Sequence, residues 1–404
     1  MPRRFTLRVL TYHASRDLVP LYSVYALLFG DHGVSTGQIS TLFIIWSLTS
    51  FVFEVPSGAW ADTIDRRLLL VLSAVVYATA FSAWMLFPTY SGYAVGFVLW
   101  GLSSALMSGT FEAALYDELV DRGAEAAYPG IIGWAHSTAM MANLVATVAA
   151  APLLAIGGYG LVGWTSVAIA GGQAVLAANL PFSLAARRPS GSHRLLAETE
   201  ALTARYLSML RAGIRESSRS VDVRRVVLIA ALLVGLTAYD EYFPLVARDH
   251  GVATSTIPLL IGLAVIGQVV GTALAGRTAG MRSRTIGVVV VTGGGLISLG
   301  ALVWPYVGFV AIAIGYGLLN NTMIVAEARL QQVIAGPARA TVTSVYGLAT
   351  EVVALAVYGT FAAAAGFATV PTLVALLGVP IVAIGWSAGR WFPGPTTMRA
   401  VEVA

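Results

Sequence analysis

Long apolar stretches, separated by short polar or charged segments, follow one another along the whole chain. Most of them run for about 20 residues without strict alternation of polar and apolar positions, which predicts membrane-spanning helices and not a barrel. The predicted spans lie near residues 7–30, 38–60, 68–88, 93–116, 128–156, 161–186, 225–248, 256–279, 286–304, 307–332, 340–366 and 371–391. We therefore predict an all-α polytopic membrane protein with twelve transmembrane helices.

A polar connector divides the predicted helices into two sets of six. Residues 1–186 form the first predicted bundle, residues 187–224 the connector and residues 225–404 the second bundle. The connector begins with Arg187 and Arg188 and continues through a weakly amphipathic stretch. This pattern is typical of a helix that lies at the membrane surface.

A short sequence repeat relates the two predicted bundles. The segment Asp31-His32-Gly33-Val34 recurs 218 positions later as Asp249-His250-Gly251-Val252, and Gly58 is separated from Gly276 by the same offset. Two matches at one offset predict a duplicated chain whose halves have the same orientation in the membrane. Parallel duplication of this kind occurs in secondary transporters, which bind substrate near the middle of the membrane.

The composition supports a membrane protein and excludes several kinds of chemistry. Hydrophobic residues make up 57% of the 404 residues and charged residues 11%, against about 25% charged in an ordinary soluble domain. All 24 cationic residues are arginine, which excludes the lysine of a nucleotide-binding phosphate loop and a lysine Schiff base. There is no cysteine, and no acid or histidine group has metal-ligand spacing. We expect no enzymatic activity, no cofactor and no metal, with a proton gradient as the energy source.

The arginines also predict how the chain is oriented. Most of them fall at one end of the predicted spans, and the positive-inside rule assigns that end, with both termini, to the cytoplasm. Membrane topology thus explains the basic charge, and we expect no nucleic-acid partner. The expected partners are a small-molecule substrate and membrane lipid, with no obligate protein partner. Exclusive use of arginine is typical of a GC-rich bacterial source, so the predicted location is a bacterial cytoplasmic membrane. The arginines on this side include Arg3, Arg4, Arg8, Arg66, Arg67, Arg122, Arg282, Arg284, Arg339 and Arg399.

The segment from Glu54 to Arg67, between the second and third predicted spans, contains a candidate latch. Gly58 permits close helix contact, and Asp62 and Arg66 at helix ends can pair with each other or with neighbouring termini. This segment resembles the loop signature of the major facilitator superfamily. The resemblance implies that family's fold, with two pseudosymmetric six-helix bundles. Further candidates for this cytoplasmic latch, at the ends of spans four and ten, are Glu112, Asp117, Glu327 and Arg329.

Within that superfamily the chain resembles the twelve-helix drug-efflux branch of drug:proton antiporters. Phe97 stands where that branch has an arginine, four residues before Gly101, and its span-five pattern appears only in part as Ala151-Pro152. The resemblance implies export of a small organic or amphiphilic solute by proton-coupled alternating access. Two alternatives are an importer of a metabolite, by proton symport or uniport, and a membrane sensor that does not transport.

Ionisable residues inside the predicted spans are candidates for proton coupling. Asp240 and Glu241 precede Asp249 by nine and eight residues, which places them about 13 Å along a helix and near the middle of the membrane. An acid there can alternate between a neutral form that tolerates occlusion and a charged form that requires water or a cation. The structural alternative is a fixed ion pair with Arg248 or Arg16. The predicted coupling set is Asp240, Glu241, Glu54, Glu351, Asp17 and Arg16.

Aromatic and amide side chains are candidates for substrate contacts. Acids combined with aromatic rings suit a cationic solute. We expect His136, on the fifth span, to be an interior histidine whose polar atoms have partners, and not a proton relay. The predicted substrate-binding set is Tyr22, Tyr25, Tyr239, Tyr242, Trp134, Gln268, Asn320, Asn321 and Tyr346, with Trp100 as a further aromatic candidate.

Overall fold

The computed structural model describes residues 3–182, 221–334 and 339–392, together with residues 208, 211, 214 and 215. Every regular element in these residues is helical. The chain divides into two compact units, Met1–Tyr206 and Leu207–Ala404. Most of the predicted connector at 187–224, including its amphipathic helix, lies outside the described residues.

The N-terminal unit contains seven described α-helices. Side-chain caps explain two of their starts: Ser35 and Gln38 form a reciprocal capping box before α3, and the Asp65 carboxylate accepts a hydrogen bond from the Leu68 amide at the start of α4. The helices are α1 (Arg3–Asp17), α2 (Tyr25–Asp31), α3 (Thr36–Thr63), α4 (Arg66–Leu86), α5 (Tyr90–Met107), α6 (Thr110–Asp121) and α7 (Tyr128–Ala178).

The C-terminal unit contains eight described α-helices. Prolines occupy the first turn of four of them, where an amide hydrogen is not needed. The helices are α8 (Val221–Leu236), α9 (Phe243–Asp249), α10 (Ile257–Thr278), α11 (Ser283–Leu302), α12 (Pro305–Val333), α13 (Arg339–Ala364), α14 (Val370–Leu376) and α15 (Gly378–Trp391).

Nine helical runs in the described part of the chain are long and apolar enough to cross a membrane. They confirm a multi-pass membrane protein, and the count of twelve spans stays a prediction. The runs are Thr36–Glu54, Arg66–Leu86, Tyr90–Asp121, Glu125–Ala178, Ile257–Thr278, Ser283–Leu302, Pro305–Val333, Thr341–Ala364 and Val370–Trp391.

Two predicted spans are interrupted, so the expectation of a continuous helix is wrong in both places. The span predicted at 7–30 consists of α1, a 3-10 segment at Pro20–Ser23 and α2, and the span predicted at 225–248 consists of α8, a 3-10 segment at Thr237–Tyr242 and α9. Pro20 and Pro244 lie at these breaks. Each lacks an amide hydrogen and so cannot continue the hydrogen-bond ladder of a preceding helix.

The spans predicted at 128–156 and 161–186 correspond to two helical stretches within Tyr128–Ala178, which together carry the label α7 and are separated where the backbone leaves the helical conformation. This break lies at Gly157 and Gly158, inside the segment predicted as a loop. Gly158 has a φ of 58°, a left-handed conformation that glycine adopts without steric strain. The helix ends at Ala178, short of the predicted residue 186.

The sequence repeat corresponds to two local structures with the same backbone bonds. α2 and α9 are both seven residues long and both are followed by a left-handed glycine, Gly33 (φ 85°) and Gly251 (φ 76°). The Val34 amide donates to the Phe29 carbonyl at 3.1 Å, and the Val252 amide donates to the Ala247 carbonyl at 3.1 Å. These bonds are typical of a glycine-terminated helix end. The same four residues therefore form the same turn in each unit.

Small residues set the closest helix packing in the C-terminal unit. A Cβ atom on Gly271 of α10 would overlap the backbone carbonyl of Gly317 on α12, and one on Gly267 would overlap the carbonyl of Ala313. Such residues let helix backbones approach closely in a membrane. α12 also packs against α11 and α8, and α13 packs against α8. This packing holds the 3-10 segment Thr237–Tyr242 next to α13.

Aromatic side chains form the core of the N-terminal unit around the break between α1 and α2. α4 packs against α5 and α7, and α5 packs against α3. We call the rings at this centre the aromatic cluster. Its members are Tyr22, Tyr25, Phe29, Phe43, Trp46, Tyr77, Phe81, Trp84, Tyr93, Phe97 and Trp100.

Candidate functional site

Asp240 lies in the 3-10 segment after α8 and contacts α12. The hydroxyl of Tyr316 on α12 donates a hydrogen bond to the Asp240 carboxylate. Asp240 is partly buried and forms no ion pair with a described residue. The Arg248 guanidinium is instead 3.8 Å from the carboxylate of its neighbour Asp249. The structure therefore shows no ion pair between Asp240 and Arg248.

Two further predicted coupling acids lie near Asp240. Tyr358 on α13 is buried and lies within electrostatic range of Glu241, Asp240 and Glu351. Glu241 and Glu351 are each partly buried. We call Asp240, Glu241 and Glu351 the acidic cluster. A carboxylate in apolar surroundings like these can bind a proton or a cation.

Buried aromatic rings flank the acidic cluster. Tyr239 and Tyr242 are both fully buried. The Tyr242 ring stacks on Phe361 of α13 with centroids 3.8 Å apart, and Tyr239 lies 5.6 Å from Phe243. These two predicted substrate contacts pack within their own unit: Tyr242 contacts α13, and Tyr239 contacts the start of α9.

The predicted amide contacts also make bonds within the C-terminal unit. The Asn321 side chain donates to the Gly271 carbonyl at 2.9 Å and accepts from the Thr278 hydroxyl at 3.0 Å, which ties α12 to α10. The Asn320 side chain donates to the Tyr316 carbonyl at 2.9 Å. Gln268 is partly buried on α10, and Tyr346 on α13 is 9% exposed.

Arg16 at the end of α1 binds neutral partners in the N-terminal unit. Its guanidinium donates to the Ser103 hydroxyl at 3.0 Å and to the Ser104 hydroxyl at 3.2 Å on α5. It also lies over the ring of Tyr77 on α4. Among the described residues Arg16 forms no ion pair. The structural alternative requires an acid paired with Arg16, and no described residue provides one.

A pair of histidines lies near Asp17. The rings of His13 on α1 and His136 on α7 have centroids 5.3 Å apart in a T-shaped arrangement. Asp17, one helical turn after His13, lies within electrostatic range of Arg16 and His136. His136 is exposed in its unit, and its ring forms no hydrogen bond with a described residue. The prediction of a satisfied interior histidine is therefore wrong, because the helix turns this ring out of its core.

The other predicted aromatic contacts occupy different environments. Tyr22 is partly buried and stacks on Trp100 with ring centroids 5.0 Å apart, and its hydroxyl shares a hydrogen bond with that of Tyr77. Tyr25 is buried in the aromatic cluster, whereas Trp134 is 66% exposed. Phe97 is fully buried in the cluster, 4.8 Å from the Trp84 ring.

One pair of predicted latch residues is joined in the structure. The Arg66 guanidinium at the start of α4 lies 2.5 Å from the Asp117 carboxylate on α6, with the two side chains 22% and 62% exposed. Gly58 and Asp62 belong to α3, and their side chains lie outside the described part of the chain. The partner of Arg66 is thus a residue 51 positions away.

The remaining predicted charged residues differ in their exposure. Glu112 on α6 is partly buried, and Glu54 on α3 and Glu327 on α12 are exposed. Arg329 on α12 is 2% exposed and donates to the backbone carbonyls of Ala279 and Met281 beyond α10. Arg329 therefore fixes the loop between α10 and α11. No group of three or more potential metal ligands occurs among the described residues.

Sequence reasoning missed the residues that surround the candidate acids. Tyr316 and Tyr358, on helices far from Asp240 in sequence, are the phenols next to the acidic cluster. Ser103 and Ser104 likewise accept hydrogen bonds from Arg16 although they lie far from it in sequence. Buried tyrosines and serines in apolar spans are common, so their sequence pattern gave no signal; only the packing of the helices identifies them.

Helices long and apolar enough to cross a membrane, together with ionisable residues beside the breaks in two further predicted spans, are typical of a membrane transporter. The chain belongs to the Major Facilitator Superfamily, whose family model matches residues 10–359. Members of this family are generally transporters of small molecules and not enzymes, and no catalytic family is indicated. No curated protein matches the chain significantly in sequence.

Several solved structures have a similar fold. A mutant of the nucleoside transporter NupG aligns with a TM-score of 0.71 and 11% identity, covering 96% of this chain and 99% of that one. A bacterial homologue of the iron transporter ferroportin, in an inward-facing state, aligns with a TM-score of 0.70 and 15% identity, covering 97% and 99%. A D-xylose–proton symporter aligns with a TM-score of 0.65 and 13% identity, covering 96% of each chain. At these identities the similarity shows the fold.

Proposed function

We propose that this chain is a secondary active transporter of twelve helices in two related bundles, which exports a small amphiphilic organic solute in exchange for protons. Its preferred substrates are cations, and its energy source is the proton gradient across a bacterial cytoplasmic membrane. The observation that carries the proposal is the acidic cluster, in which Asp240 has a neutral phenol as partner and no described guanidinium.

The neutral partner matters because it leaves the carboxylate able to change its charge. An acid paired with arginine is held in its charged form, because the guanidinium favours the carboxylate over the protonated acid. Asp240 instead accepts a hydrogen bond from Tyr316, which can remain in place when the carboxylate binds a proton on its other oxygen. Asp240 can therefore gain or lose a proton while it keeps its hydrogen-bond partner.

The proposed exchange follows from competition for this charge. When the cluster is deprotonated, it attracts a cationic solute, and nearby aromatic rings add favourable contacts. When a proton binds, the negative charge falls and the cation is released. Alternating exposure of the acids to the two faces of the membrane couples inward proton flow to outward solute flow.

The direction of transport rests on the resemblance to the drug-efflux branch, and import is the second candidate. Phe97 weakens that resemblance, because it replaces the arginine of that branch and is packed among aromatic rings. A D-xylose–proton symporter shares the fold as well. In an importer, solute and proton would move together through the same acids.

Transport by purified protein in liposomes tests both the coupling and the direction. Cationic, neutral and anionic compounds of similar size are offered under an imposed pH gradient. We expect cations to move against the direction of proton flow, and Asp240→Asn to reduce this movement to background. Movement with the protons identifies a symporter, and flux that ignores the gradient contradicts proton coupling.

A matched variant separates loss of the acid from general damage. Asp222→Asn makes the same chemical change at a side chain that is 69% exposed, and it should transport as the wild type does. Solute binding without flux in the wild-type protein would identify a sensor and contradict the proposal.

A further inference from the structure

A cleft separates α8 from α15 on the surface of the C-terminal unit. It has a volume of about 560 Å³, with Leu228 and Leu232 on one wall and Pro380 and Ile384 on the other. Several residues here are open to the surroundings: Leu228 is 51% exposed and Trp391 is 46% exposed. Exposed apolar walls of this kind suit the acyl chains of a lipid.

The length of the cleft matches one half of a bilayer. Pro380 and Trp391, at its two ends on α15, are separated by eleven residues, or about 16 Å at 1.5 Å per residue. Half of a hydrocarbon core about 30 Å thick is close to this length. The cleft therefore suits one acyl chain of a lipid in a single leaflet.

The polar end of the cleft is basic. Arg224 and Arg225 line it, and the Arg225 guanidinium lies 5.8 Å from the ring centre of Trp391. α8 begins at Val221, so the positive end of its dipole points the same way. Asp222 is 4.0 Å from Arg225, but these side chains are 69% and 41% exposed, so water screens the pair.

We infer that this cleft is a binding site for one anionic phospholipid, with the phosphate held by Arg224 and Arg225 and one acyl chain between α8 and α15. Basic pockets between membrane helices bind such headgroups, and tryptophan is favoured at this depth of a membrane. A zwitterionic lipid carries a compensating amine and gains less from the two guanidinium groups. The site is independent of the acidic cluster and of the direction of transport.

Native mass spectrometry of the full-length protein in detergent tests the headgroup. Phosphatidylglycerol and phosphatidylcholine with identical acyl chains are titrated separately, and excess inorganic phosphate is added in a third series. We expect one phosphatidylglycerol to bind more tightly than phosphatidylcholine and to resist displacement by phosphate. Arg224→Gln combined with Arg225→Gln should weaken its binding about 30-fold, the factor expected from two arginines near a membrane surface. Equal affinity for both lipids, or displacement by phosphate, overturns the inference.

Two further variants locate the lipid. Arg282→Gln combined with Arg284→Gln removes two exposed arginines near the start of α11 and should leave the bound phosphatidylglycerol in place. Ser387→Trp fills the cleft and should release the lipid while the protein stays monodisperse with an unchanged melting temperature. Equal loss in both arginine variants, or full binding in a folded Ser387→Trp protein, overturns the assignment to this cleft. If Ser387→Trp does not fold, Ala383→Phe serves the same purpose at a more exposed position of the cleft.

Discussion

The guanidinium of Arg16 lies 4.3 Å from the ring centre of Tyr77, and the Tyr77 hydroxyl donates a hydrogen bond back to the Arg16 backbone carbonyl at 3.0 Å. The two residues are thus joined by their side chains and through the end of α1. Stacking on an aromatic ring and bonds to serine hydroxyls satisfy this arginine without an acid among the described residues. A membrane-embedded cation is in this way held by neutral groups.

Replacing Arg16 should therefore destabilise the N-terminal unit. We expect Arg16→Gln to lower the free energy of unfolding by about 1 to 3 kcal/mol, because α1, α4 and α5 lose their shared hydrogen bonds. Thermal denaturation in detergent measures the effect. Arg8→Gln, an exposed position on the same helix, is the control and should melt as the wild type does. An Arg16→Gln protein that melts with that control would show that the network has no structural role.

The Arg66–Asp117 ion pair should affect transport more than stability. Both side chains are partly exposed, so Asp117→Asn should change the unfolding free energy by less than about 1 kcal/mol. If the pair is a latch, the same variant slows transport, and exchanging the charges in Arg66→Asp with Asp117→Arg restores much of the rate. Initial transport rates in liposomes measure this, with Glu125→Gln as an exposed control. A charge exchange that fails to recover any rate argues against a latch.

Two glycines on α10 should respond to alanine in opposite ways. At Gly271 the added Cβ meets the Gly317 backbone carbonyl, so Gly271→Ala should separate α10 from α12 and cost about 1 to 3 kcal/mol. Nothing lies within 4 Å of a Cβ at Gly276, where alanine should stabilise the helix by about 0.5 to 1 kcal/mol. Melting temperatures of the two variants test the close approach directly. Similar shifts in both would show that the backbones can separate freely.

Tyr316 is expected to position the Asp240 carboxylate. Tyr316→Phe removes the hydroxyl that bonds to this acid while keeping the ring. We expect proton-driven transport to fall several-fold and its pH profile to move, with little change in melting temperature. Tyr306→Phe, at a tyrosine that is 46% exposed, is the matched control. An unchanged pH profile in Tyr316→Phe would show that this hydrogen bond has no part in coupling.

Much of the helical framework could be predicted because run length alone identifies a membrane helix. The two broken spans could not, although charged residues lie beside both breaks: Arg16 and Asp17 precede Pro20–Ser23, and Asp240 and Glu241 lie within Thr237–Tyr242. Proline marked a possible break without specifying its kind. The break within α7 could be predicted as a loop, because Gly157 and Gly158 interrupt the apolar pattern between two helical stretches.

The candidate acids could be found from sequence, but their surroundings could not. Asp240 and Glu241 are neighbours in the chain, whereas Glu351 joins them only through the packing of α13 beside the 3-10 segment. The sequence suggested an acid as the partner of Arg16, whereas its guanidinium donates to serine hydroxyls 87 and 88 positions away. The sequence around a residue shows whether its side chain is costly to bury. The hydrogen-bond partners that offset this cost come from helices far away in sequence, and only the folded structure identifies them.

The turns after α2 and α9 have the same backbone hydrogen bonds, so the residues that precede them can be compared position by position. Each turn is closed by its own backbone and its own glycine, so it fixes a common register for the residues just before it. In that register Tyr22 of the first half corresponds to Asp240 of the second. A phenol bonded to a phenol and a carboxylate bonded to a phenol thus occupy equivalent positions. At this position the first segment therefore has a neutral side chain, and the second has a side chain that can carry charge.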